Sequence, residues 1–330
     1  MKIRARILPI FVALAVAMAA AIAAVPVSAA EEGHFDKTLT VSGAVDLDVQ
    51  TGSGDIKVHN GGAGTVEIHA KIRASHGWHL GGDVEARIKQ IESNPPIEQN
   101  GNTIRVGHTN DHDLLRDISI SYDITTPADT KLHSASGSGD QTIAGIHGPL
   151  DASSGSGSLH ASNIGGEARV RTGSGDVELR GIQGTTHASA GSGTIRAIGI
   201  AGGLTASSGS GNVILEQTAA GDVEVSTGSG EVELKGVNGG LRASTGSGNI
   251  HADGQPQSAW KLRTGSGDVR VSFPANAAFD LRARTSSGSI SSSHEIAVQG
   301  KISPHELEGK VHGGGVLVEL STSSGSIEIR

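Results

Sequence analysis

The chain has 330 residues, with 26 Lys+Arg against 34 Asp+Glu and no cysteine. The acidic balance speaks against a general nucleic-acid binder, which needs a basic footprint; the missing cysteine excludes disulfides, thiol nucleophiles and cysteine-ligated zinc. Phe, Trp and Tyr number 4, 2 and 1 against 49 glycines, too few large side chains to fill a wide core but compatible with a narrow one built from Val, Ile, Leu and Ala.

Residues 1–30 open with Lys2, Arg4 and Arg6, run apolar from Ile7 to Val25, and end in the small residues Val27-Ser28-Ala29-Ala30. This is the layout of a secretory signal peptide, with cleavage expected near Ala29 or Ala30. The apolar run is long, so an uncleaved membrane anchor is the alternative. No cysteine follows, which excludes lipid attachment at a lipobox. Cleavage removes Lys2, Arg4 and Arg6 and no acid, leaving 23 basic against 34 acidic residues, a net charge of about −11. The mature protein is expected outside the cytoplasm, in the periplasm or at the cell surface, with no membrane span once the signal is cleaved.

Residues 31–131 read as irregular β coils. Leu47 to Val58 alternates around a first Gly52-Ser53-Gly54, and Gly64 to Ala74 reads as another strand. From Gly82 to Ser93 the apolar residues Val84, Ile88 and Ile91 fall at helical spacing before Asn94-Pro95-Pro96. A short amphipathic helix laid on one end of the fold is the expectation, as a cap over an open strand edge. Ile97 to Val106 around Asn100-Gly101 reads as a hairpin, and Ile118 to Thr125 alternates into Pro127.

Residues 132–330 are regular. Gly-Ser-Gly recurs with its second glycine at Gly139, Gly157, Gly175, Gly193, Gly211, Gly230, Gly248 and Gly267, at intervals of 18 or 19 residues. A fixed period near 20 marks a solenoid, whose units must stack to bury a face. Two residues after the glycine stand Leu159, Val177, Ile195, Val213, Val232, Ile250 and Val269; seven before it stand Leu132, Leu150, Ala168, Leu204, Val223, Leu241 and Trp260. Polar residues fill the alternate positions, giving two short strands per coil. Stacked at about 4.8 Å, eleven or more coils make a rod on the order of 50 Å long. The fold class is therefore all-β, a single-stranded β-solenoid of β-helix type with coils of about 18 residues and a short helical insertion near its N-terminal end. These glycines are expected to be structural turns with left-handed backbone. Thr or Ser three places before them, as at Ser154, Thr172 and Thr227, should bond along the stack or to corner amides. Ser293 to Gly315 is an aperiodic insertion, and Ser326 to Arg330 is expected to close the rod with Glu328 and Arg330 on the terminal edge.

Chemistry is thinly signalled. Asp55, Asp140, Asp176 and Asp268 follow glycines, but Ser158, Thr194, Asn212, Asn249 and Ser289 take that place in other coils. Paired carboxylates for stacked calcium sites are thus missing. A strand follows each glycine turn, so the turns are not phosphate loops. His108, Asp111, His112 and Asp113 are the densest ligand-type cluster and read best as a polar loop. No nucleophile motif is present, and a carbohydrate-active β-helix enzyme should carry aromatic platforms beyond Trp78 and the inward Trp260. No metal, cofactor or catalytic residue is assigned. Arg242, Lys261 and Arg282 recur in successive coils, with Arg263 and Arg284 two positions along. Stacked like charges invite an anionic partner, which makes these five a candidate basic strip for an envelope polymer or lipid bearing phosphate or carboxylate.

The run from Tyr122 to Leu132 into Ser136-Gly-Ser-Gly-Asp140, with Thr-Gly-Ser-Gly-Asp-Val at Thr172 to Val177 and at Thr264 to Val269, resembles a family of bacterial adhesin-like proteins of unknown function. The resemblance spans roughly residues 35 to 330. It implies a β-solenoid at the cell envelope and carries no catalytic or ligand residue. The expected function is a non-enzymatic, exported, adhesin-like protein offering a surface to envelope polymer, lipid or protein. An envelope-stress sensor or assembly factor that uses the rod as a spacer is the alternative.

Overall fold

The computed structural model describes residues 32–75, 82–109, 111, 113–298 and 303–330. The signal segment 1–30, Trp78 and His112 lie outside the described residues. Alternating sequence becomes alternating burial wherever a strand follows the period of two. In residues 45–49 and in Thr130–Ser136 every second side chain is buried. In Ala168–Thr172 the pattern is buried, exposed, buried, exposed, buried. The described residues form one all-β body, with a single helix among them.

The strands line two faces. On the first, Thr130–Ser136, Leu150–Ser154, Ala168–Thr172, Thr186–Ala190, Leu204–Ser208 and Val223–Ser229 pair in parallel, one after the next. Leu132, Leu150, Ala168, Thr186 and Leu204 stand opposite one another in that row. On the second face Gln141–Ala144, Leu159–Ile164, Val177–Ile182, Ile195–Ile200 and Val213–Gln217 do the same. Val232–Ser247 and Ile250–Ser266 run on through the corner and serve both faces. The two inner rows meet as a thin apolar core in which Leu47, Val170, Leu179, Ala197 and Leu215 are buried completely. A third buried row, Ile146, Ile164, Ile182, Ile200 and Val237, closes the core at the far corner.

Two corners turn each coil. At the far corner the backbone is left-handed at Gly145, Gly181, Gly199 and Gly236, and at Asn163, a residue type that tolerates this region. At the Gly-Ser-Gly corner the reason for glycine differs from the one expected. Through the middle of the rod Gly139, Gly157, Gly175, Gly193, Gly211 and Gly230 have no left-handed φ. A Cβ on any of them would instead sit 1.8 to 2.2 Å from the carbonyl oxygen of the equivalent glycine one coil below. Contact between stacked backbones, rather than the turn itself, demands the missing side chain.

The ends break the order of the chain. Val45–Thr51 lies between Thr103–Val106 and Thr130–Ser136, and Ile56–Asn60 lies between Ile118–Thr126 and Gln141–Ala144. Likewise Val316–Ser324 lies between Ile250–Ser266 and Phe279–Ser287. Ile327–Ile329 lies between Val269–Ser272 and Ile290–Ser292. The last strand is therefore not the terminal edge: Glu328 is paired on both sides, between Arg270 and Ser291. Antiparallel strands finish both ends. Thr65–Ala74 and Glu32–Thr40 add to the N-terminal end beside the hairpin of Ile97–Asn100 and Thr103–Val106. Glu306–Val311 and Ile296–Val298 add to the C-terminal end, from within the stretch that has no sequence period.

The helix Gly82–Ser93 buries Val84, Ile88 and Ile91. It rests on the edge strand Glu32–Thr40, where Glu92 accepts a hydrogen bond from the His34 amide at 2.9 Å. An edge amide that would otherwise await another chain is thereby occupied.

Candidate functional site

Inside the corner, the hydroxyl column serves two coils at once. Ser154 Oγ donates to the Gly139 carbonyl at 3.2 Å and accepts from the Gly157 amide at 2.8 Å. Thr172 does the same with Gly157 and Gly175, and Ser208 with Gly193 and Gly211. Outside the corner, Asp140 Oδ1 accepts from the Ser158 amide, Asp176 Oδ1 from the Thr194 amide, and Asp268 Oδ1 from the Ser326 amide, each at 2.8 Å. These carboxylates are used to hold the next coil. Among the described residues no group of three or more His, Asp or Glu is placed to hold a metal ion.

The described members of the loop cluster, His108, Asp111 and Asp113, do not come together as a ligand set. His108 Nε2 lies 3.1 Å from Asp48 Oδ2 on a neighbouring strand, while Asp111 Oδ1 accepts the amides of Asp113 and Leu114. Asp113 pairs with Arg116. Asp48 Oδ1, Tyr122 Oη and His294 Nε2 are buried without a hydrogen-bond partner. Burial pushes the Tyr122 phenol far above its usual range.

The five basic residues do converge on the first face, with Arg242 opposite Lys261, but the stack of like charges does not run on to Arg282. Because the C-terminal strand is threaded between coils, Glu319 stands opposite Lys261 on one side and Arg282 on the other. Arg263 Nη2 donates to Glu319 Oε1 at 2.9 Å and Lys261 Nζ reaches Glu319 Oε2 at 3.1 Å. These two cations hold the Glu319 carboxyl below the usual carboxylate range. Arg282 pairs with Glu308 at 2.9 Å, Arg284 with Glu306 and Glu308 at 2.8 and 3.1 Å, and Arg242 approaches Glu224 at 3.9 Å. Each cation of the strip thus faces a carboxylate. Sequence spacing placed Arg282 directly after Lys261; the threading of Val316–Ser324 between them corrects this, and only the long-range strand order reveals it.

Two features escaped the sequence reading. The first is a polar pair in the apolar rows, where Ser134 Oγ donates to Gln141 Oε1 at 2.7 Å with both residues fully buried. Their departure from two otherwise apolar columns was the available signal. The second is an open groove of about 820 Å³ at the C-terminal end, lined by Ser244, Arg263, Arg284, Ser303, His305, Glu306 and Ser321 among others. Its residues come from five strands and one turn, and no spacing in the chain brings them together.

Residues 187–330 match a sequence family described as Toastrack DUF4097. No functionally curated protein matches the chain. Solved structures are similar at low identity, three of them as follows. A protein from Parabacteroides distasonis, provisionally named a lipid-binding protein, is 12% identical, with 90% of this chain and 97% of that one covered at a TM-score of 0.38. A provisionally named adhesin from Parabacteroides merdae is 10% identical, with 90% and 96% covered at a TM-score of 0.33. A provisionally named cell adhesion protein from Clostridium sporogenes is 11% identical, with 91% and 99% covered at a TM-score of 0.24. Similarity at these TM-scores assigns no function to this chain.

Proposed function

We propose that the protein is an exported, non-enzymatic component of the cell envelope whose β faces are a binding surface. In this reading residues 1–30 are a cleaved signal, residues 31–131 form the irregular first coils, and residues 132–330 form the regular solenoid with coils of about 18 residues. The single observation that carries the reading is the continuity of the outward rows. On the first face His133, Asp151, Arg169, His187, Thr205, Glu224, Arg242 and Lys261 follow one another in register, strand after strand. A rigid, flat and periodic surface of this kind suits an extended partner.

Charged side chains on these faces are largely used in ion pairs across or along strands, such as Arg171 with Asp151, His187 with Glu167 and Arg270 with Glu328. Such pairing fits a solvated recognition surface better than an acid–base pair poised for chemistry. No described helix is long and apolar enough to cross a membrane. Fractionation of expressing cells, followed by retention of the purified mature chain on isolated envelope fragments, tests the proposal. Recovery in the exported fraction with retention on envelope supports it; recovery in the cytoplasm, or no retention at any salt concentration, overturns it.

A further inference from the structure

Across five neighbouring strands, Ser244, Arg263, Ser321, Arg284 and Glu306 stand opposite one another in one row. They floor the C-terminal groove of about 820 Å³. At about 4.8 Å per strand the floor is roughly 19 Å long, the reach of an oligomer rather than of a single small molecule. The turn Ser303–Glu306 walls its outer end. It is pinned by mutual backbone hydrogen bonds between Ser303 and Glu306 and by the His305 carbonyl, which accepts the Thr285 amide at 2.9 Å. The groove is built from elements of the fold, and its volume lies within the usual range for ligand sites.

The chemistry of the lining selects the ligand. Arg263 and Arg284 are held by Glu319, Glu306 and Glu308, which use Nη2 of Arg263 and Nε and Nη2 of Arg284. The remaining guanidinium N–H groups, and the hydroxyls of Ser244 and Ser321, have no partner among the described residues. These groups are donors and two-way hydroxyls, and the charge of both guanidinium groups is already balanced by carboxylates. A polyanion would find little uncompensated positive charge there. A sugar chain would find planar N–H forks for adjacent hydroxyl pairs, serines that both donate and accept, and the Glu306 carboxylate as an acceptor.

We propose that this groove binds a neutral, hydroxyl-rich oligosaccharide segment, held by the guanidinium forks of Arg263 and Arg284 and by Ser244 and Ser321. The inference rests on the binding-surface reading above and names its ligand class. The test uses the purified mature chain and four soluble probes: cellotetraose, laminaritetraose, tetra-N-acetylchitotetraose and polygalacturonate, titrated at low and at high salt. The expected result is binding of at least one neutral tetrasaccharide with an affinity nearly independent of salt. The double variant Arg263→Lys/Arg284→Lys keeps the charge but loses the forks, and should weaken that binding at least tenfold. Ser244→Ala/Ser321→Ala, two small changes at outward positions of strands on either side of Ile250–Ser266, should weaken it severalfold with an unchanged melting curve.

Absence of binding to all three neutral probes at millimolar concentration overturns the proposal. So does wild-type affinity in the lysine variant, or binding of polygalacturonate alone with a steep fall in salt. Envelope retention is measured in parallel. If retention persists while the neutral probes fail, the groove proposal falls and the broader reading stands.

Discussion

Between Thr130 and Ser266 the chain lays each coil on the previous one in the order in which it is written; at its two ends it does not. Near the N-terminus the segment Val45–Asn60 is held one coil inside the end, and near the C-terminus so is Val316–Ile329. The cores differ in the same way. The middle is filled by Ala, Val, Leu and Ile, whereas aromatic rings sit near the ends. Phe35 meets Tyr122 at one end, with ring centroids 6.4 Å apart; at the other, Phe273 lies between Trp260 and Phe279 at 5.2 and 4.6 Å. The difference has a physical origin. A middle coil finds a matching edge above and below because its neighbours repeat it. An end coil has one neighbour, so its open side needs antiparallel strands, a helix and larger side chains.

The strongest way to break this comparison is to remove a coil from each region. Deleting 168–185 joins Glu167 to Thr186 and replaces one in-register neighbour by another, since Leu150, Ala168 and Thr186 occupy the same row. The shortened chain should fold, with a melting temperature within a few degrees of the full-length protein. Deleting 316–330 instead removes the buried Val318, Leu320, Ile327 and Ile329 and takes from the strands on both sides of the gap their partner on that side. At about 1.5–3 kcal/mol for each buried side chain, the loss is on the order of 6–12 kcal/mol. The end region should then be unfolded, with uptake of a hydrophobic dye or loss of soluble protein. Similar behaviour of the two deletions would mean that the threaded end does not lock the rod.

Next in size is the corner. Gly193→Ala puts a Cβ 1.8 Å from the Gly175 carbonyl oxygen, and both partners are backbone, so two coils must separate. A cost of about 3 kcal/mol is expected, in the range of strained backbone contacts. Gly62→Ala, in an exposed turn near the N-terminal end with nothing within 4 Å of its Cβ, should be close to neutral. Thermal unfolding of the two variants side by side checks this. Equal melting temperatures would remove the stacking explanation for the glycine column.

How much of this was legible follows from the same contrast. The inward rows, the hairpin at Asn100-Gly101 and the helix from Gly82 to Ser93 are local patterns, and local patterns survive in the sequence. The place of Glu319 between Lys261 and Arg282 does not. It depends on which coil the last strand joins, and its apolar positions Val318 and Leu320 match any coil of the rod equally well. The groove was hidden for the same reason. The third buried row, Ile146, Ile164, Ile182 and Ile200, was open to reading at the same period, but it lies beyond the alternating strands, where an expectation of two faces does not look. For the aspartates after the glycines, the partner is the amide one coil on, and it became visible only with the stack.

A smaller effect is expected within the middle, at a polar pair in its core. Gln141 accepts from Ser134 and donates to the Ser153 carbonyl at 2.5 Å. Gln141→Leu leaves the Ser134 hydroxyl buried and unpaired, a cost of about 1–3 kcal/mol. Adding Ser134→Ala removes the orphan and should recover much of that loss. A double-mutant cycle by denaturant unfolding measures the recovery, and strictly additive single effects would refute the coupling.

The smallest effect belongs to the N-terminal end. His69 Nδ1 lies 2.6 Å from Asp36 Oδ1, with Asp123 opposite on the next strand. The hydrogen bond to Asp36 comes first in raising the imidazole above its ordinary range, with Asp36, Asp123 and Glu67 adding their negative charge. A raised folded-state value means that the protonated ring is preferred in the folded protein. The stabilisation is fully present below the unfolded value of about 6.5 and is lost as pH rises through the higher folded one. The pair is exposed, so the change is modest. It should appear as faster amide exchange in Glu32–Thr40 at pH 8.5 than at pH 5.5, after correction for intrinsic rates, and it should vanish in Asp36→Asn. The middle of the rod gives the contrast: strands such as Leu204–Ser208 are held by parallel neighbours on both sides, and their exchange should not follow this titration. If Glu32–Thr40 shows the same flat profile, the antiparallel end is held by its backbone ladder and the helix cover alone.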